Sequence, residues 1–422
     1  MMSLLKRAQS VRSLACVAPV LLSLLPTLYA EHWPEWRGPD RNGITSEPNV
    51  PTHWSAESGV KWKTAAIGAG ISSPVIWGNR IFLAASDGPR HSELHLLGLD
   101  FETGNEMWHL RFWGTAPTRC HGTKSTMASP TPITDGNAVF AFYGTGDVFA
   151  VDRDGALLWQ RSLANDYGPF ENRFAASSSP LLYQDLLLLQ CDHYGDSYLI
   201  ALDKATGKVR WRTERPDSWL SWASPRLVPV ADGHEFVVAA SLTIAGFDPR
   251  TGKQLWTVDG MQRECIPTPV LGHGLIYAVS GPGGATLAIK PGGRGNVSES
   301  HVVWKSSRGV PFVPSAILVD DLYYLVDDKG IGTCLDAHSG ERRWQTRLPG
   351  RYTASPVAAA GNVYFVNESG TTVVMRAGTA AFTEVARNDI GEPVFASPAI
   401  SQGRLFLRTS QNLYCISGAA GP

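Results

Sequence analysis

The chain has 422 residues and a formal net charge of −1, and charged residues make up only 18% of it. This near-neutral balance excludes the basic surface that a nucleic-acid-binding protein needs. The 42 glycines and the 10% aromatic content are typical of an all-β protein dense in turns, and they exclude a helical or disordered chain.

The first thirty residues have the features of an export signal. Lys6, Arg7 and Arg12 precede an apolar run at residues 14–25, and Leu-Tyr-Ala at residues 28–30 is a typical cleavage site. The apolar run is short and contains prolines, which favours cleavage over retention as a membrane anchor. We therefore expect an exported chain, periplasmic or extracellular, with no transmembrane span after cleavage.

Residues 31–59 form a lead-in that is rich in Trp, Pro and Gly. Its sequence at residues 33–39, Trp-Pro-Glu-Trp-Arg-Gly-Pro, is unsuited to a helix or an interior strand. We expect Trp33 and Trp36 to pack against one face of the domain that follows. The alternative is an arm that binds a partner.

Eight short markers follow, each leading a largely apolar run. They are Ser73-Pro74, Thr131-Pro132, Ser179-Pro180, Ser224-Pro225, Thr268-Pro269, Pro314-Ser315, Ser355-Pro356 and Ser397-Pro398. Their second residues are 41 to 58 positions apart, and in most units an aromatic residue follows eight positions later, Tyr323 in the sixth. This period suits four short antiparallel strands, so the markers predict eight propeller blades.

A second signature, D-x-x-x-G-x-x-x-W, recurs within the units, as in Asp203, Gly207 and Trp211. Asp bonds nearby main chain, Gly supplies a positive φ, and the Trp ring is buried by the strand that follows. The fifth unit has Lys290-Pro-Gly-Gly instead, and the seventh lacks the Trp. The tryptophans assigned a structural role in the repeat are Trp62, Trp108, Trp159, Trp211, Trp256, Trp304 and Trp344.

The last unit ends near residue 418 without its turn and Trp strand, whereas residues 60–64 have the pattern of the missing strand. An N-terminal strand that completes the last blade would leave no unpaired sheet edge. We therefore predict one all-β domain at residues 60–418, an eight-bladed β-propeller of four-stranded antiparallel blades closed by an N-terminal strand. A short tail follows at residues 419–422.

These repeats resemble those of the quinoprotein or PQQ-like propellers, which include quinoprotein alcohol dehydrogenases and the outer-membrane barrel-assembly lipoprotein. The likeness covers residues 60–418, and the lead-in is similar to that of a group of exported bacterial propellers. The resemblance implies that each marker strand lies nearest the axis and that the loop before it opens onto one face.

The loops before the markers are rich in cationic and aromatic residues. The candidates for a ligand funnel are Arg119, His121, Lys124, Arg173, Trp222, Arg263, Glu264, Arg308, Arg351 and Tyr352. Arginines and rings can hold a planar or sugar-like acid by bidentate pairing and stacking. The alternative is that these long side chains simply cover the ends of the blades.

No metal site is predicted, because the chain has no CxxC pair and no other zinc-ligand spacing. His91-Ser-Glu-Leu-His95 has its Glu in the wrong place for a zinc-protease motif. Five cysteines remain after cleavage, and an odd number cannot all pair within one chain. Cys334 and Cys415 occupy a position that other repeats fill with alanine, so we expect small buried side chains there.

Two functions fit these observations. The favoured one is a non-catalytic binding or assembly module of the cell envelope, whose partner is a protein, a peptide or an envelope polysaccharide. The alternative is a PQQ-dependent alcohol or sugar dehydrogenase, which needs a quinone and calcium in the funnel. No specific motif supports that cofactor, and the adjacent Cys pair of the family's enzymes is absent.

Overall fold

The computed structural model of the protein describes residues 32–281 and 283–418. The predicted export signal and tail lie outside these residues. Within them the chain is almost entirely β, with thirty-three strands in eight sheets and two short α-helices, α1 (Leu163–Tyr167) and α2 (Ser298–His301). In the described part no helix has both the length and the apolar character needed to cross a membrane. The predicted eight-bladed all-β propeller is confirmed.

Strand β1 (Val60–Ala65) comes first in the chain but belongs to the eighth blade. The first blade contains β2 (Val75–Trp77), β3 (Arg80–Asp87), β4 (Glu93–Asp100) and β5 (Glu106–Trp113). The second contains β6 (Ile133–Thr134), β7 (Ala138–Phe142), β8 (Asp147–Asp152) and β9 (Leu157–Ser162). The third contains β10 (Leu181–Tyr183), β11 (Leu186–Cys191), β12 (Tyr198–Asp203) and β13 (Val209–Glu214). The fourth contains β14 (Arg226–Val230), β15 (Gly233–Ala239), β16 (Thr243–Phe247) and β17 (Gln254–Asp259).

The fifth blade contains β18 (Val270–Gly272), β19 (Leu275–Val279) and β20 (Thr286–Ile289); after β21 (Gly295–Asn296), β22 (Val302–Ser306) completes it. The sixth contains β23 (Ile317–Val319), β24 (Leu322–Val326), β25 (Ile331–Asp336) and β26 (Arg342–Arg347). The seventh contains β27 (Val357–Ala359), β28 (Asn362–Val366), β29 (Thr371–Arg376) and β30 (Glu384–Asp389). The eighth contains β31 (Ala399–Ser401), β32 (Arg404–Arg408) and β33 (Asn412–Ile416), with β1 as its outer strand.

The N-terminal strand closes the ring as predicted. Strand β1 pairs antiparallel with β33, with Trp62 opposite Cys415 and Thr64 opposite Leu413. The first and last parts of the propeller therefore share one sheet, and the unpaired edge of the last blade is covered.

Burial explains the composition of each strand. Every residue of β7 and of β28 is buried, because neighbouring blades cover both faces of a middle strand. Strand β26, an outer strand, alternates between exposed and partly buried residues because one of its faces meets water. The core of the molecule therefore lies between the blades and around the axis.

The Asp-Gly-Trp signature joins one blade to the next. Asp100 accepts a hydrogen bond from the Thr103 amide at 2.9 Å, and Gly104 has a φ of 72°. Trp62, from the preceding blade, donates its indole N–H to the Phe101 carbonyl at 3.1 Å, and a Cβ on Gly104 would lie 2.5 Å from its ring. The same ring-on-glycine contact joins Trp108 to Gly155, Trp159 to Gly207, Trp211 to Gly252 and Trp304 to Gly340.

The fourth and fifth blades join differently, because the fifth unit lacks the signature. Trp256 donates its indole N–H to the Glu235 carboxylate at 2.8 Å, and the same carboxylate oxygen accepts the Gly292 amide of the fifth blade at 3.1 Å. Strand β21 also adds to the fourth blade, pairing parallel with β17. A buried carboxylate thus replaces the direct bond from Trp to main chain. The indole N–H of Trp344, which faces the seventh unit, finds no acceptor among the described residues.

The sixth marker stands one residue away from its predicted position. Ile317 pairs with Tyr324, just as the residue after the Ser-Pro or Thr-Pro pair faces an aromatic residue in the first, second, fifth, seventh and eighth units. Tyr323 is therefore not the equivalent residue. Ser315 therefore holds the hydroxyl position, and Ala316 stands where the other markers have proline. The inverted order of Pro and Ser in this unit caused the incorrect alignment.

The lead-in closes one end of the propeller axis. Trp33 is fully buried and pairs with Ile76 of the first blade. The Arg41 guanidinium donates to the carbonyls of Pro180 and Pro225 at the third and fourth blades. Further along, Ile44 bridges to the seventh blade and Glu47 accepts two amides of the eighth. We call residues 33–47 the plug.

Arginines hold the plug from inside. Arg37 is buried and donates to the Asn42 carbonyl at 2.8 Å, while Arg226 of β14 donates to the Asp40 carbonyl at 2.7 Å and to the Asn42 side chain at 2.9 Å. Burial lowers the pKa of Arg37 to about 10 and that of Arg226 to about 9. Both therefore remain charged at neutral pH.

All five cysteines in the described residues are free thiols, and Cys120 alone among them is not fully buried. Burial raises the pKa of Cys120 to about 11. Cys334 and Cys415 are buried at their repeat position, as expected.

Candidate functional site

The marker hydroxyls form a belt around the axis. From the first marker to the seventh, the marker amide donates to the hydroxyl of the next blade's marker, from Ser73 to Thr131 at 3.0 Å and on to Ser355 and Ser397 at 2.8 Å. Seven such bonds of 2.8–3.3 Å occur among the described residues. The belt consists of Ser73, Thr131, Ser179, Ser224, Thr268, Ser315, Ser355 and Ser397. Because only a short hydroxyl side chain can accept this bond, the belt explains why every marker contains Ser or Thr.

A cavity of about 350 Å³ lies on the axis above the belt, and we call it the axial cavity. Its floor includes Trp36 of the plug, whose indole N–H donates to the Thr268 hydroxyl at 3.0 Å. Its walls come from the loops before the markers. Because the chain reverses at each hairpin, these loops share one end of the propeller with the turns between the second and third strands. The plug and the Asp-Gly turns lie at the other end.

A shared carboxylate organises the cationic side of the cavity. Glu368 accepts from the Lys124 ammonium at 2.6 Å and from the Thr353 hydroxyl at 2.8 Å, and Arg351 Nε lies 4.0 Å from its other oxygen. Lys124 belongs to the loop before the second blade, whereas Glu368 belongs to the seventh, so the contact passes over the first and eighth blades. Two cations against one anion leave a net positive charge on this wall.

Aromatic rings form the other side. Phe174 lies 5.3 Å from His121 and 6.5 Å from Trp222, measured between ring centroids. Arg173 stacks over Phe174 at 4.9 Å and also lies 3.9 Å from Glu264. A main-chain carbonyl accepts the Trp222 indole N–H at 2.7 Å, which fixes the ring in place. The wall therefore offers flat apolar surface beside a loosely paired guanidinium.

Asp328, in the turn between β24 and β25, fixes a third part of the wall. Its carboxylate accepts the amides of Phe312 and Val313 at 2.8 and 3.3 Å, which holds the loop before the sixth marker against the cavity.

The structure brings half of the predicted funnel residues to the cavity. Those lining it are His121, Lys124, Trp222, Glu264 and Arg351. Arg173 reaches its edge through Phe174 and Glu264. The other four do not line it: Arg119 borders a separate depression, Arg263 stacks on Trp219 at 5.5 Å, Arg308 is exposed elsewhere, and Tyr352 is buried in the core.

Several lining residues were not among the sequence candidates. Asp328 lies in a turn after the second strand of its blade. Glu368, which binds the lining residues Lys124 and Thr353, lies in the equivalent turn of the seventh blade. Counting chain reversals would have placed these turns at the open end. Trp36 gives no such signal, because its place depends on the irregular path of the plug. The belt hydroxyls were visible as a repeated Ser or Thr, but the sequence does not reveal their bonding.

The lining residues do not fit a calcium ion beside a quinone. Calcium takes six to eight oxygen ligands, yet both triads of His, Asp and Glu found at metal-ligand spacing in the described chain lie away from the axial cavity. Asp328 is engaged by amides and Glu368 by cations.

Comparisons with known proteins agree on one family. A family model described as "Outer membrane protein assembly factor BamB" matches residues 44–195, 169–346 and 302–421. The outer membrane protein assembly factor BamB of Yersinia pestis is 22% identical over 367 residues, which cover 82% of this chain and 85% of that protein. These matches confirm the resemblance to PQQ-like propellers.

Two solved structures share the fold. BamB from Moraxella catarrhalis superimposes with a TM-score of 0.59 and 14% identity, covering 81% of this chain and 93% of the other. A europium-containing methanol dehydrogenase gives 0.67 with 12% identity, covering 90% of each chain. An assembly factor and a dehydrogenase therefore share this architecture, and at such identities the likeness shows the fold alone.

Proposed function

The chain belongs to the family of the outer membrane protein assembly factor BamB, and we propose that it is an exported, non-catalytic binding module in the assembly of the cell envelope. Its partner is a protein, and the axial cavity holds a segment of that partner. One observation carries this proposal: the axis is plugged at one end and open at the other, where a cavity of about 350 Å³ is walled by rings and cations.

The chemistry of the walls favours a segment with an apolar or aromatic side chain next to a carboxylate. Phe174 and Trp222 offer stacking surface, while Arg351 and Arg173 have only distant ion-pair partners, at 4.0 and 3.9 Å. A guanidinium without a close partner can pair with an incoming carboxylate at little cost. Lys124 is less available, because Glu368 already binds it at 2.6 Å.

A protein partner is favoured over an envelope polysaccharide, because the curated relative is named for protein assembly. Export to the periplasm or the outside of the cell is part of the same proposal, and it rests on the sequence of the first thirty residues together with the relative's name.

Photo-crosslinking from the cavity rim tests the proposal. A benzophenone amino acid is placed at Arg351, whose side chain is 66% exposed at the open end. Arg250 is the matched control, since its side chain is 67% exposed in an Asp-Gly turn at the plugged end and also lies near one carboxylate. We expect position 351, in cells of the source organism, to give an adduct with a single envelope protein that mass spectrometry identifies.

The control position should give no adduct with that protein. The same adduct from both positions, or none from position 351 and other rim positions such as Phe395, would contradict the proposal.

Calorimetric titration with PQQ, with and without calcium, followed by a dye-linked alcohol oxidation assay, tests the dehydrogenase alternative. Saturable binding of PQQ together with alcohol oxidation would show that the protein is a dehydrogenase and not a binding module.

A further inference from the structure

Two histidines and an aspartate converge between the fifth and sixth blades, at the end of the propeller opposite the axial cavity. His273 lies in the turn between β18 and β19, Asp321 in the turn between β23 and β24, and His338 in the turn between β25 and β26. All three turns are at the plugged end, and all three side chains reach solvent. The site is therefore independent of the axial cavity.

The ligand atoms have the spacing of a metal site. Nε2 of His338 lies 3.0 Å from Asp321 Oδ1, and Nε2 of His273 lies 3.5 Å from the same oxygen. Zinc bound tetrahedrally at about 2.0–2.2 Å from nitrogen and oxygen places neighbouring ligand atoms about 3.3 Å apart. The two observed distances lie on either side of this value. Both imidazoles thus bring Nε2 to the same carboxylate oxygen, and their ring centroids are 4.5 Å apart.

The three turns hold their side chains in place without a metal. The Ala337 amide donates to the Asp321 carbonyl at 2.9 Å, which ties the two turns of the sixth blade together. The His338 amide donates to the Asp336 carboxylate at 3.0 Å, as the Asp-Gly signature requires. Nε2 of His273 is 2.9 Å from the Asp320 carbonyl, so a fourth oxygen stands beside the cluster. Because these turns are already ordered, metal binding costs little conformational entropy, which favours high affinity for the metal.

The charges favour a cation as well. In the part of the chain that the structure describes, the ion-pair partners of Asp321 are His273 and His338, with no lysine or arginine among them. Two imidazoles and one carboxylate form a donor set suited to zinc, whereas magnesium and calcium prefer oxygen ligands. We propose that His273, Asp321 and His338 bind a zinc ion that links the fifth blade to the sixth.

The other triad makes a useful comparison within the same chain. His95 is buried, its Nδ1 lies 2.9 Å from Nε2 of His109, and its Nε2 lies 3.0 Å from Asp87 Oδ1. All three residues belong to the first blade. The cluster at His273 differs because its ligands come from two blades and surround one carboxylate oxygen in solvent.

Zinc titration of the tag-free, metal-free mature protein tests the proposal, monitored by calorimetry and by competition with a chromophoric chelator. We expect one equivalent to be lost, or its affinity to fall more than about tenfold, in each of His273→Ala and His338→Ala. His234→Ala is the matched control. His234 is exposed at the corresponding end of the fourth blade and meets the Tyr183 ring edge-on, with a centroid distance of 5.7 Å.

A second readout separates binding from altered folding. Zinc should raise the Tm of the wild-type chain and of His234→Ala but not of the two cluster variants, because binding to the folded state alone stabilises it. Cobalt in place of zinc should give visible bands of a four-coordinate site. Zinc affinity and stoichiometry unchanged in His273→Ala and His338→Ala, or a wild-type chain that binds no zinc, would overturn the proposal.

Discussion

Arginines at the two ends of the propeller axis behave differently. At the plugged end, Arg37, Arg41 and Arg226 are buried and donate to main-chain carbonyls of the plug and the inner strands. At the open end, Arg351 and Arg173 are exposed, with carboxylates no nearer than 3.9 Å. The same residue type is structural where it is buried and donates to main-chain carbonyls, and it is available to a ligand where it is exposed and its nearest carboxylate is distant.

The largest effect is expected from removing the plugged end. Deletion of residues 31–64 removes both the plug and β1, so β33 becomes an exposed edge. We expect the deletion protein to aggregate, as measured by size-exclusion chromatography with light scattering. A soluble monomeric deletion protein would show that neither the plug nor the closing strand is needed.

Arg41→Ala tests the structural arginines. Its removal would leave the partly buried Glu35 without its ion-pair partner and two carbonyls without their donor. We expect a loss of about 3–5 kcal/mol in the free energy of unfolding, measured by denaturant titration. Arg351→Ala, at the open end, is the control and should change it by less than about 0.5 kcal/mol. Equal losses of unfolding free energy in the two variants would show that the arginines at the two ends do not differ in their structural role.

Trp211→Ala sharpens the comparison, because it weakens the contact between two blades without touching either end of the axis. The ring packs on Gly252 and its N–H bonds to the Pro249 carbonyl at 3.0 Å. We expect a loss of about 3 kcal/mol in the free energy of unfolding, since large aromatic truncations cost about 3–5 kcal/mol and this ring is only partly buried. An unchanged Tm would show that the Trp211 ring does not stabilise the contact between the two blades.

Glu392 is an exception that shows burial, not location, to be decisive. It belongs to the open end, yet it accepts hydrogen bonds from Asn412, Tyr414 and Lys63, which tie β1 to β33. Burial acts to raise the pKa of Glu392, but these bonds and one from Thr409 outweigh it and lower the pKa from 4.5 to about 2. The stabilisation is therefore present above about pH 4.5 and is lost as the pH falls toward 2.

Glu392→Gln should accordingly lower stability at pH 7 by about 1–2 kcal/mol, once solvent screening is allowed for. The difference from the wild-type chain should shrink below pH 4.5. Thermal unfolding of both proteins across this range measures the effect. A difference that stays constant with pH would show that the carboxylate charge has no part in closing the ring.

The repeating parts of the fold could be predicted from the sequence, and the irregular parts could not. Ser-Pro markers and Asp-Gly-Trp turns recur because, among the described residues, seven markers donate the same belt bond and five pairs of neighbouring blades make the same ring-on-glycine contact. Their spacing therefore encodes the blade count. The predicted position of the sixth marker was wrong by one residue, because Pro314 precedes Ser315 in this unit whereas Ser or Thr precedes Pro in the others. In the fifth unit the Asp-Gly turn is missing, and Glu235 of the fourth blade accepts the Trp256 indole N–H in its place. Because this substitute occurs once, a comparison of the repeats could not predict it.

The site was predicted only in part for the same reason. His121, Lys124 and Arg351 were found because their loops lie at a fixed place in each repeat. Asp328 was missed because it lies in a turn at the same end but in another part of the repeat, and Trp36 because the plug has no period at all. Loops at a shared end can be counted from the topology, whereas the conformation of a single unrepeated segment depends on contacts with many blades.

The most direct test of the difference between the two ends is the affinity for the partner captured from the open end. Arg351→Glu and Arg250→Glu reverse the charge of two equally exposed arginines at opposite ends of the axis. Titration of the purified partner, or of its crosslinked segment as a peptide, should give binding at least about tenfold weaker for Arg351→Glu, since a charge-assisted hydrogen bond is worth about 1.5–3 kcal/mol. Arg250→Glu should bind like the wild-type chain. Equal weakening by both variants, or by neither, would contradict the assignment of binding to the open end.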